Sequence, residues 1–206
     1  MSFTVGFDLD MTLIDPRPGM IALFDALKDE TGYQLDGAAF ATRLGPPLTD
    51  EFAHYGIVGA EADALVARYR ARYAEIVIPR TTALPGAYEA LAAVAAHGGE
   101  VVVVSGKHTP NVRAHLDALG LTVAAAVGEL WSTGKAAALR EHGAEMYIGD
   151  HVGDIAGARA ADALAVGVAT GPMTAADLTI AGADVVLADL TGFAPWLDSY
   201  LAATVH

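Results

Sequence analysis

Two aspartates, Asp8 and Asp10, follow a short apolar segment near the start of the chain in the sequence DLDMT. Side chains alternate along an extended chain, so these two carboxylates project to the same side. At about 4 Å and an effective dielectric constant of about 20, two such charges repel each other by about 4 kcal/mol. A divalent cation or a raised pKa must relieve that repulsion, unless the pair lies in a solvated turn after a strand.

A second acidic pair, Asp150 and Asp154, lies in the sequence IGDHVGD. Asp150 follows a predicted strand, and Asp154 falls near the start of the next predicted helix. Ligands bind outside the carboxyl ends of the strands in open α/β sheets, so we expect Asp150 to reach the same sheet edge as Asp8. Hard oxygen ligands that fill only part of a coordination shell suit Mg²⁺, which keeps several waters. Taken alone, this pair fits an acidic turn and a helix N-cap equally well.

Two more polar residues stand at comparable places. Ser105 directly follows the run VVVV, and its hydroxyl could donate to a bound anion or cap the turn into Gly106. Lys135 lies at the start of a predicted helix, where a cation opposes the helix dipole. That placement favours a lysine that faces carboxylates or a bound phosphate, although a surface lysine remains the simpler alternative.

The elements that position these residues alternate from residue 86 onward. Short segments rich in Val, Ile and Ala predict strands at 3–9, 100–104, 123–127, 146–148, 164–169 and 184–187. Helical periodicity predicts helices at 86–96, 109–119, 133–142, 153–161, 175–181 and 191–201. This alternation indicates an α/β fold, a Rossmann-like parallel sheet with helices on both faces.

The alternation stops between residues 16 and 84, where the pattern predicts only helices, at 20–31, 37–43, 48–55 and 61–77. Apolar residues at helical spacing, such as Met20, Leu23 and Leu27, form a stripe on the first of these. Prolines stand near both ends of the segment. We therefore expect a small all-helical domain at 16–84, inserted after the first strand of an α/β core made of 1–15 and 85–206. It would sit over the ligand-binding edge of the sheet.

Composition excludes several classes of protein. The chain has 206 residues, a formal net charge of −13 and no cysteine, so disulfides and thiolate chemistry are excluded. With 12 Lys and Arg against 25 Asp and Glu, it has little cationic surface for nucleic acid. Its apolar runs fall far short of the ~18 residues of a membrane span, and MSFTVGFDLD lacks the basic region of a secretory signal. We expect a cytoplasmic protein that binds neither nucleic acid nor membrane. The sequence carries no signal for oligomeric state.

In their order along the chain, DLDMT, the serine after VVVV, Lys135 and GDHVGD resemble motifs I to IV of the haloacid dehalogenase (HAD) superfamily. The resemblance covers almost the whole chain. The helical insert is similar to the C1 cap of that superfamily, and the nearest pattern is the phosphoglycolate-phosphatase-like group. The chain departs from the pattern at Met11, where motif I commonly has Gly, and in the compact spacing between Lys135 and Asp150.

The resemblance implies a Mg²⁺-dependent phosphatase that acts on a small phosphomonoester, either phosphoglycolate-like or a sugar or nucleotide phosphate, through an aspartyl-phosphate. A small phosphorylated metabolite is the implied partner. By resemblance, Asp8 is the nucleophile and Asp10 is the acid and then the base. Ser105 would hold a phosphoryl oxygen, and Lys135 would add a positive charge.

The resemblance also implies the ligands of the magnesium ion. Asp8, Asp150 and the main-chain carbonyl of Asp10 would hold it, and Asp154 would assist the metal shell or orient Lys135.

Substrate-binding residues are less clearly marked in the sequence. Arg43, in the break RLGPP between two predicted cap helices, is the best basic candidate, and Thr12 and Gly106 are the other predicted substrate contacts. Arg17 is a second basic candidate. We interpret Lys107 as a solvated turn residue, and we interpret His108 and His151 as ordinary loop residues.

Several alternatives share part of this pattern. A sugar-phosphate mutase would carry all four motifs and stays open. A receiver-type signalling module also has acidic residues, a Ser or Thr and a Lys at strand ends. It is smaller, however, lacks an insert after the first strand, and accepts phosphate on a middle strand, where this chain has Ser105. A dehalogenase needs neither a metal nor Asp10. A phosphonatase needs a nucleophilic lysine in the cap, where only Lys28 occurs.

Overall fold

A parallel six-stranded sheet forms the centre of the larger part of the molecule, which the computed structural model describes from residue 3 to residue 204. The sheet contains six of the eight strands in the described residues, and β2 and β3 form a separate pair. The strands are β1 (Thr4–Phe7), β2 (Ile14–Asp15), β3 (Thr82–Ala83), β4 (Glu100–Val104), β5 (Ala125–Val127), β6 (Ala144–Gly149), β7 (Leu164–Val168) and β8 (Val185–Leu187). The sheet has the order β5-β4-β1-β6-β7-β8, and each of these neighbours pairs in parallel. The predicted parallel α/β sheet is confirmed.

Helices cover both faces of the sheet, as predicted. They are α5 (Ala87–Ala96), α6 (Thr109–Leu119), α7 (Ala136–Glu141), α8 (Val152–Ala160), α9 (Ala175–Ile180) and α10 (Phe193–Thr204). Because side chains alternate along β4, Val101 and Val103 pack in the apolar cluster under α5, α6 and α10. Val102 and Val104 pack in the opposite cluster, under α7, α8 and α9.

The segment between β2 and β3 folds as four helices with an apolar cluster of their own. They are α1 (Arg17–Thr31), α2 (Gly37–Ala41), α3 (Leu48–Ala53) and α4 (Ala60–Ile76). Phe24 lies at the centre of the cluster, with its ring 4.2 Å from that of Phe40, 5.8 Å from that of Phe52 and 6.0 Å from that of Tyr69. These helices lie within the interval predicted for the insert, and the domain boundaries at 16 and 84 stay a prediction.

Some local features differ from the sequence-based expectations. β1 ends at Phe7, so that Asp8 and Leu9 lie beyond the strand. The antiparallel pair of β2 and β3 has only two residues in each strand, which is too short for a periodic signal. The helix predicted at 133–142 begins as a 3₁₀ turn over Ser132–Lys135, which precedes α7. Within residues 3–204, no helix combines the length and the apolar character needed to cross a bilayer.

We expect Gly86→Ala to destabilise the fold more than Gly98→Ala. Both glycines have a positive φ, 82° and 74°, so each substitution strains the backbone by about 1 kcal/mol or more. A Cβ at Gly86 would also lie 2.3 Å from main-chain atoms of Leu190 and Thr191. No described atom lies within 4 Å of a Cβ at Gly98. Gly86→Ala should therefore cost about 1–3 kcal/mol more. Urea unfolding measures both free energies, and equal losses would contradict the packing of this turn.

Candidate active site

Three buried carboxylates, those of Asp8, Asp150 and Asp154, meet beyond the carboxyl ends of β1 and β6. Asp8 directly follows β1, and its N–H donates to the carbonyl of Ile148 at 2.8 Å, which holds it beside β6. Asp150 directly follows β6, and Asp154 lies in the first turn of α8. One oxygen atom from each carboxylate lies within 4.8 Å of the others. Parallel pairing of β1 and β6 thus unites residues from distant segments of the chain.

Lys135 is the cation of this cluster and is almost completely buried. Its Nζ lies 3.0 Å from Asp8 Oδ1 and 2.6 Å from Asp154 Oδ1, and it donates to the Tyr147 hydroxyl at 2.7 Å. That hydroxyl in turn donates to the carbonyl of Val104. Burial disfavours the ammonium ion, but the two carboxylates outweigh burial and raise the pKa of Lys135. The lysine is therefore a fixed positive charge at neutral pH.

The cluster carries more negative charge than Lys135 can balance. Burial raises the pKa of Asp8, and the charge of Asp154 adds to the shift. The pKa of Asp150 is raised well above its usual value by burial, then by Asp154 and Asp8. Gly171 leaves the space that Asp150 occupies, because a Cβ there would overlap the Oδ2 atom. Buried oxygen ligands with excess negative charge fit a divalent metal ion, which would relieve the repulsion.

The carboxylate of Asp10 lies outside this three-carboxylate cluster. Its Oδ2 lies 2.9 Å from Lys107 Nζ. Its Oδ1 is buried and has no hydrogen-bond partner among residues 3–204. Burial raises the pKa of Asp10, although Lys107 counteracts the rise. The structure thus places the side chain of Asp10 outside the three clustered carboxylates, and the expected role of its main-chain carbonyl stays a prediction.

The interpretation of Lys107 as a solvated turn residue is wrong, because the side chain is buried. Its Nζ donates to the Tyr73 hydroxyl of α4 as well as contacting Asp10. The Tyr73 hydroxyl is also hydrogen-bonded to His115 Nε2, at 2.9 Å. Burial, and then Lys107, lower the pKa of His115 to about 3, so the imidazole is neutral. The scarcity of lysine was a signal, since two of the three lie in the motif segments.

Three other predicted residues surround the carboxylates. Thr12 is fully buried, and its hydroxyl donates to Asp150 Oδ1 at 3.1 Å, so it orients a carboxylate. Contrary to expectation, Thr12 is not among the described residues that line the cavity. The hydroxyl of Ser105 accepts from the N–H of Lys107 at 3.3 Å, and Gly106 lines the cavity. The roles of Ser105 and Gly106 toward a phosphate stay predictions.

Arg43 does not line the cavity, as a predicted substrate contact would. Its guanidinium pairs with Glu51 of α3 at 2.5 Å, because the break between α2 and α3 is short enough for α3 to reach it. Gly45 and its two proline neighbours in the same break line the cavity, whereas Arg43 is not among the described lining residues. Arg17 pairs with Asp15 at 2.7 Å and likewise carries no group into that space.

A cavity of about 280 Å³ opens above the carboxylates and is lined by both parts of the molecule. The core contributes the acidic cluster, Asp10 and both buried lysines. The helical insert contributes a largely apolar wall, and two core residues, Trp131 and His151, stand beside it. The His151 ring does more than the loop interpretation implied, because its Nδ1 accepts from the N–H of Gly153 at 3.0 Å and caps α8.

Met11 forms the tight turn after Asp10, at the position where motif I commonly has glycine. Its φ is 57°, in the left-handed region, which costs a residue with a side chain about 1–2 kcal/mol. Its N–H donates to the carbonyl of Ile14 at 2.8 Å, and its own carbonyl accepts from the Thr170 hydroxyl. Its buried side chain belongs to the apolar cluster of the insert, which offsets the strain.

Comparison with known proteins places this fold and site in a family. Residues 5–159 match the haloacid dehalogenase-like hydrolase family. The chain belongs to that family.

Two curated relatives are similar to part of the chain. "Probable phosphatase IndB" of Dickeya dadantii is 33% identical over 121 residues, 56% of this chain and 53% of that protein. A phosphoglycolate phosphatase of Rhodospirillum rubrum is 34% identical over 132 residues, 59% of this chain and 55% of that protein. The chain thus spans about half the length of the curated relatives it matches.

Solved structures show the same fold over nearly the whole chain. A predicted phosphatase from Clostridium acetobutylicum has a TM-score of 0.83 at 23% identity, covering 97% of this chain and 99% of that one. A predicted phosphoglycolate phosphatase from Haemophilus somnus has a TM-score of 0.80 at 20% identity, covering 97% and 98%. At these identities the likeness concerns the fold alone.

Replacing Asp150 by Asn tests the charge balance of the cluster. The amide oxygen still accepts from Thr12, but one buried negative charge is removed. In metal-free protein we expect the fold to gain about 1 kcal/mol or more, because like-charge repulsion is relieved. We expect Mg²⁺ to raise the melting temperature of the unsubstituted protein, and in Asp150→Asn this gain should largely disappear. Calorimetry in EDTA and in Mg²⁺ measures both effects.

Asp162→Asn is the matched control for this prediction, because the Asp162 side chain is exposed. It should leave both the stability and the response to Mg²⁺ unchanged. An Asp150→Asn variant that still gains the full stabilisation from Mg²⁺ would show that this carboxylate does not bind the metal.

Tyr73→Phe tests the polar connection between α4 and the core. Loss of the hydroxyl leaves Lys107 and His115 buried with one partner fewer, so unfolding should become easier by about 1–3 kcal/mol. Tyr88→Phe is the control, since its exposed hydroxyl donates to the Leu119 carbonyl at 2.8 Å, and its loss should cost less than about 1 kcal/mol. Chemical unfolding compares them, and equal costs would rule out the buried connection.

Proposed function

We propose that the chain is a Mg²⁺-dependent phosphatase that hydrolyses a small phosphomonoester through an aspartyl-phosphate on Asp8. The observation that supports this most strongly is the buried cluster of Asp8, Asp150 and Asp154 around Lys135, in a chain of a hydrolase family. Two relatives bear names that describe phosphatases, and this agrees with the proposal.

Charge is the first requirement of this chemistry. A carboxylate that approaches a phosphate dianion needs positive charge nearby. Lys135 supplies one such charge, 3.0 Å from Asp8 Oδ1. Asp8, Asp150 and Asp154 would hold Mg²⁺, which when bound screens phosphoryl oxygens as a Lewis acid.

In the first step, a carboxylate oxygen of Asp8 forms a bond to phosphorus while the ester P–O bond breaks. The leaving alkoxide takes a proton from the carboxyl group of Asp10. Asp10 suits this role because burial raises its pKa and its Oδ1 has no protein partner within the described chain. Both carboxyl groups line the same cavity.

In the second step, water attacks the phosphorus of the aspartyl-phosphate and gives its proton to the carboxylate of Asp10. The bond between phosphorus and the Asp8 oxygen breaks, which releases phosphate and restores both side chains. Lys107 would hold Asp10 Oδ2 at 2.9 Å through both steps and so leave Oδ1 free for proton transfer.

Substitution of the two aspartates separates these steps. With p-nitrophenyl phosphate as substrate, Asp8→Asn should lower turnover at least about a thousandfold, because the nucleophile is removed. Asp10→Asn should lower steady-state turnover about 100-fold or more. Nitrophenolate leaves without a proton, so the first step survives in Asp10→Asn and phosphorylated Asp8 accumulates. Rapid quenching followed by peptide mass spectrometry detects that species.

Asp15→Asn is the matched control, since Asp15 lies in the same segment and pairs with Arg17 at the surface. It should retain activity. EDTA should abolish turnover in the unsubstituted protein, and Mg²⁺ should restore it. Wild-type turnover in Asp8→Asn would refute the nucleophile, and isomerised sugar phosphate in place of free phosphate would indicate a mutase.

A further inference from the structure

We propose that the half of the cavity beyond the carboxylates binds an uncharged planar ring. The substrate would then be a phosphomonoester of a ring-bearing alcohol, rather than of a small hydroxy acid such as glycolate. This inference rests on the proposed phosphatase activity for its kinetic test, and binding tests it separately.

The insert presents an apolar wall to the cavity. Its lining side chains include Met20, Phe40, Leu44, Val66 and Tyr69. Phe40 and Tyr69 are held by the ring of Phe24 behind them, so the wall is continuous with the insert's own core. An apolar surface of this kind favours a ligand that loses apolar area from water, and aromatic rings also favour offset or edge-to-face contacts with another ring.

Trp131 supplies a flat surface on the core side. Two glycines let main chain approach its ring closely, because a Cβ would lie 2.7 Å from a ring atom at Gly45 and 3.2 Å at Gly153. Its ring centroid is 5.0 Å from that of His151. Close packing at the edge fixes the indole, while the residue still lines the cavity. A rigid aromatic surface binds a planar ring at low entropic cost.

The cations of the cavity all have carboxylate partners among the described residues. Lys135 pairs with Asp8 and Asp154, and Lys107 pairs with Asp10.

Arg70 of α4 is the cation that the insert contributes to the described lining of the cavity. It pairs with Glu129 of the core at 3.1 Å. Both side chains of this pair are about half exposed, so the pair itself contributes at most about 1 kcal/mol. A carboxylate on the leaving group is disfavoured instead by the lining acids, which outnumber the lining lysines and arginine and would repel it; they are Asp8, Asp10, Glu129, Asp150 and Asp154. The cavity volume of about 280 Å³ lies close to the lower end of the ~300–1,000 Å³ of small-molecule sites, which suits a phosphate with one ring.

Matched esters of primary alcohols test this proposal. Benzyl phosphate, cyclohexylmethyl phosphate and phosphoglycolate differ in planarity and in charge, but each carries its phosphate on a CH₂ group. We expect kcat/KM for benzyl phosphate to be at least about tenfold higher than that for phosphoglycolate. It should also be about threefold or more higher than that for cyclohexylmethyl phosphate. A preference for phosphoglycolate would overturn the proposal, and equal values for the two rings would overturn its planar part.

Trp131→Ala tests the aromatic surface. The ratio of kcat/KM for benzyl phosphate to that for ethyl phosphate should fall about tenfold, since only the ring contacts the indole. Trp196→Phe is the control, because Trp196 packs between Phe193 and Tyr200 on α10, and its ratio should not change. An unchanged ratio in folded Trp131→Ala would refute the assignment.

A binding measurement keeps the test valid if Trp131→Ala fails to fold or if no ester is hydrolysed. The Trp196→Phe protein keeps Trp131 as its single tryptophan. Benzylphosphonate and phosphonoacetate cannot be hydrolysed, and titration of each against the fluorescence of Trp131 gives its Kd. The Kd of benzylphosphonate should be at least about tenfold lower than that of phosphonoacetate. Absence of hydrolysis with this binding preference would refute the phosphatase and retain the ring site. Hydrolysis without this binding preference would retain the phosphatase and refute the ring site.

Discussion

The attraction between Lys135 and two buried carboxylates is the interaction on which the site depends. Asp8, Asp150 and Asp154 come from the ends of two strands and the first turn of α8, and water is largely excluded from all three. Without a cation among them, their mutual repulsion would oppose the parallel pairing of β1 and β6 at this edge. The Tyr147 hydroxyl accepts a hydrogen bond from the ammonium group at 2.7 Å, so the charge is positioned before any ligand arrives.

The second charged pair, Asp10 with Lys107, belongs to both parts of the molecule. Lys107 follows β4 in the core, but its amine also reaches Tyr73 in the insert. One of the two contacts that hold the Lys107 amine beside Asp10 therefore exists only while α4 lies against the core. The apolar wall and Trp131 meet across the same boundary, so the proposed chemistry and the proposed recognition of the leaving group depend on the same packing contacts.

Much of this could be predicted because parallel strands place their carboxyl ends together. Residues that directly follow a strand, such as Asp8 and Asp150, are close in space whatever the details of the helices. Side chains whose partners lie on another element could not be predicted in this way. The sequence favoured Arg43 over Lys107 as a functional cation, yet Tyr73 and Asp10 hold Lys107 in the interior and Glu51 pairs with Arg43. The paired strands β2 and β3 were too short to leave a pattern.

Met11 joins the backbone of the turn after Asp10 to the hydrophobic interior of the insert. Its main chain is held in a left-handed conformation beside Asp10, and its thioether lies among the side chains of α1 and α4. Any rotation of the insert relative to the sheet would therefore move the Met11 side chain, and with it the main chain next to Asp10. A glycine in that place would relax the backbone, but it would also remove the side chain that ties this turn to the apolar cluster of the insert.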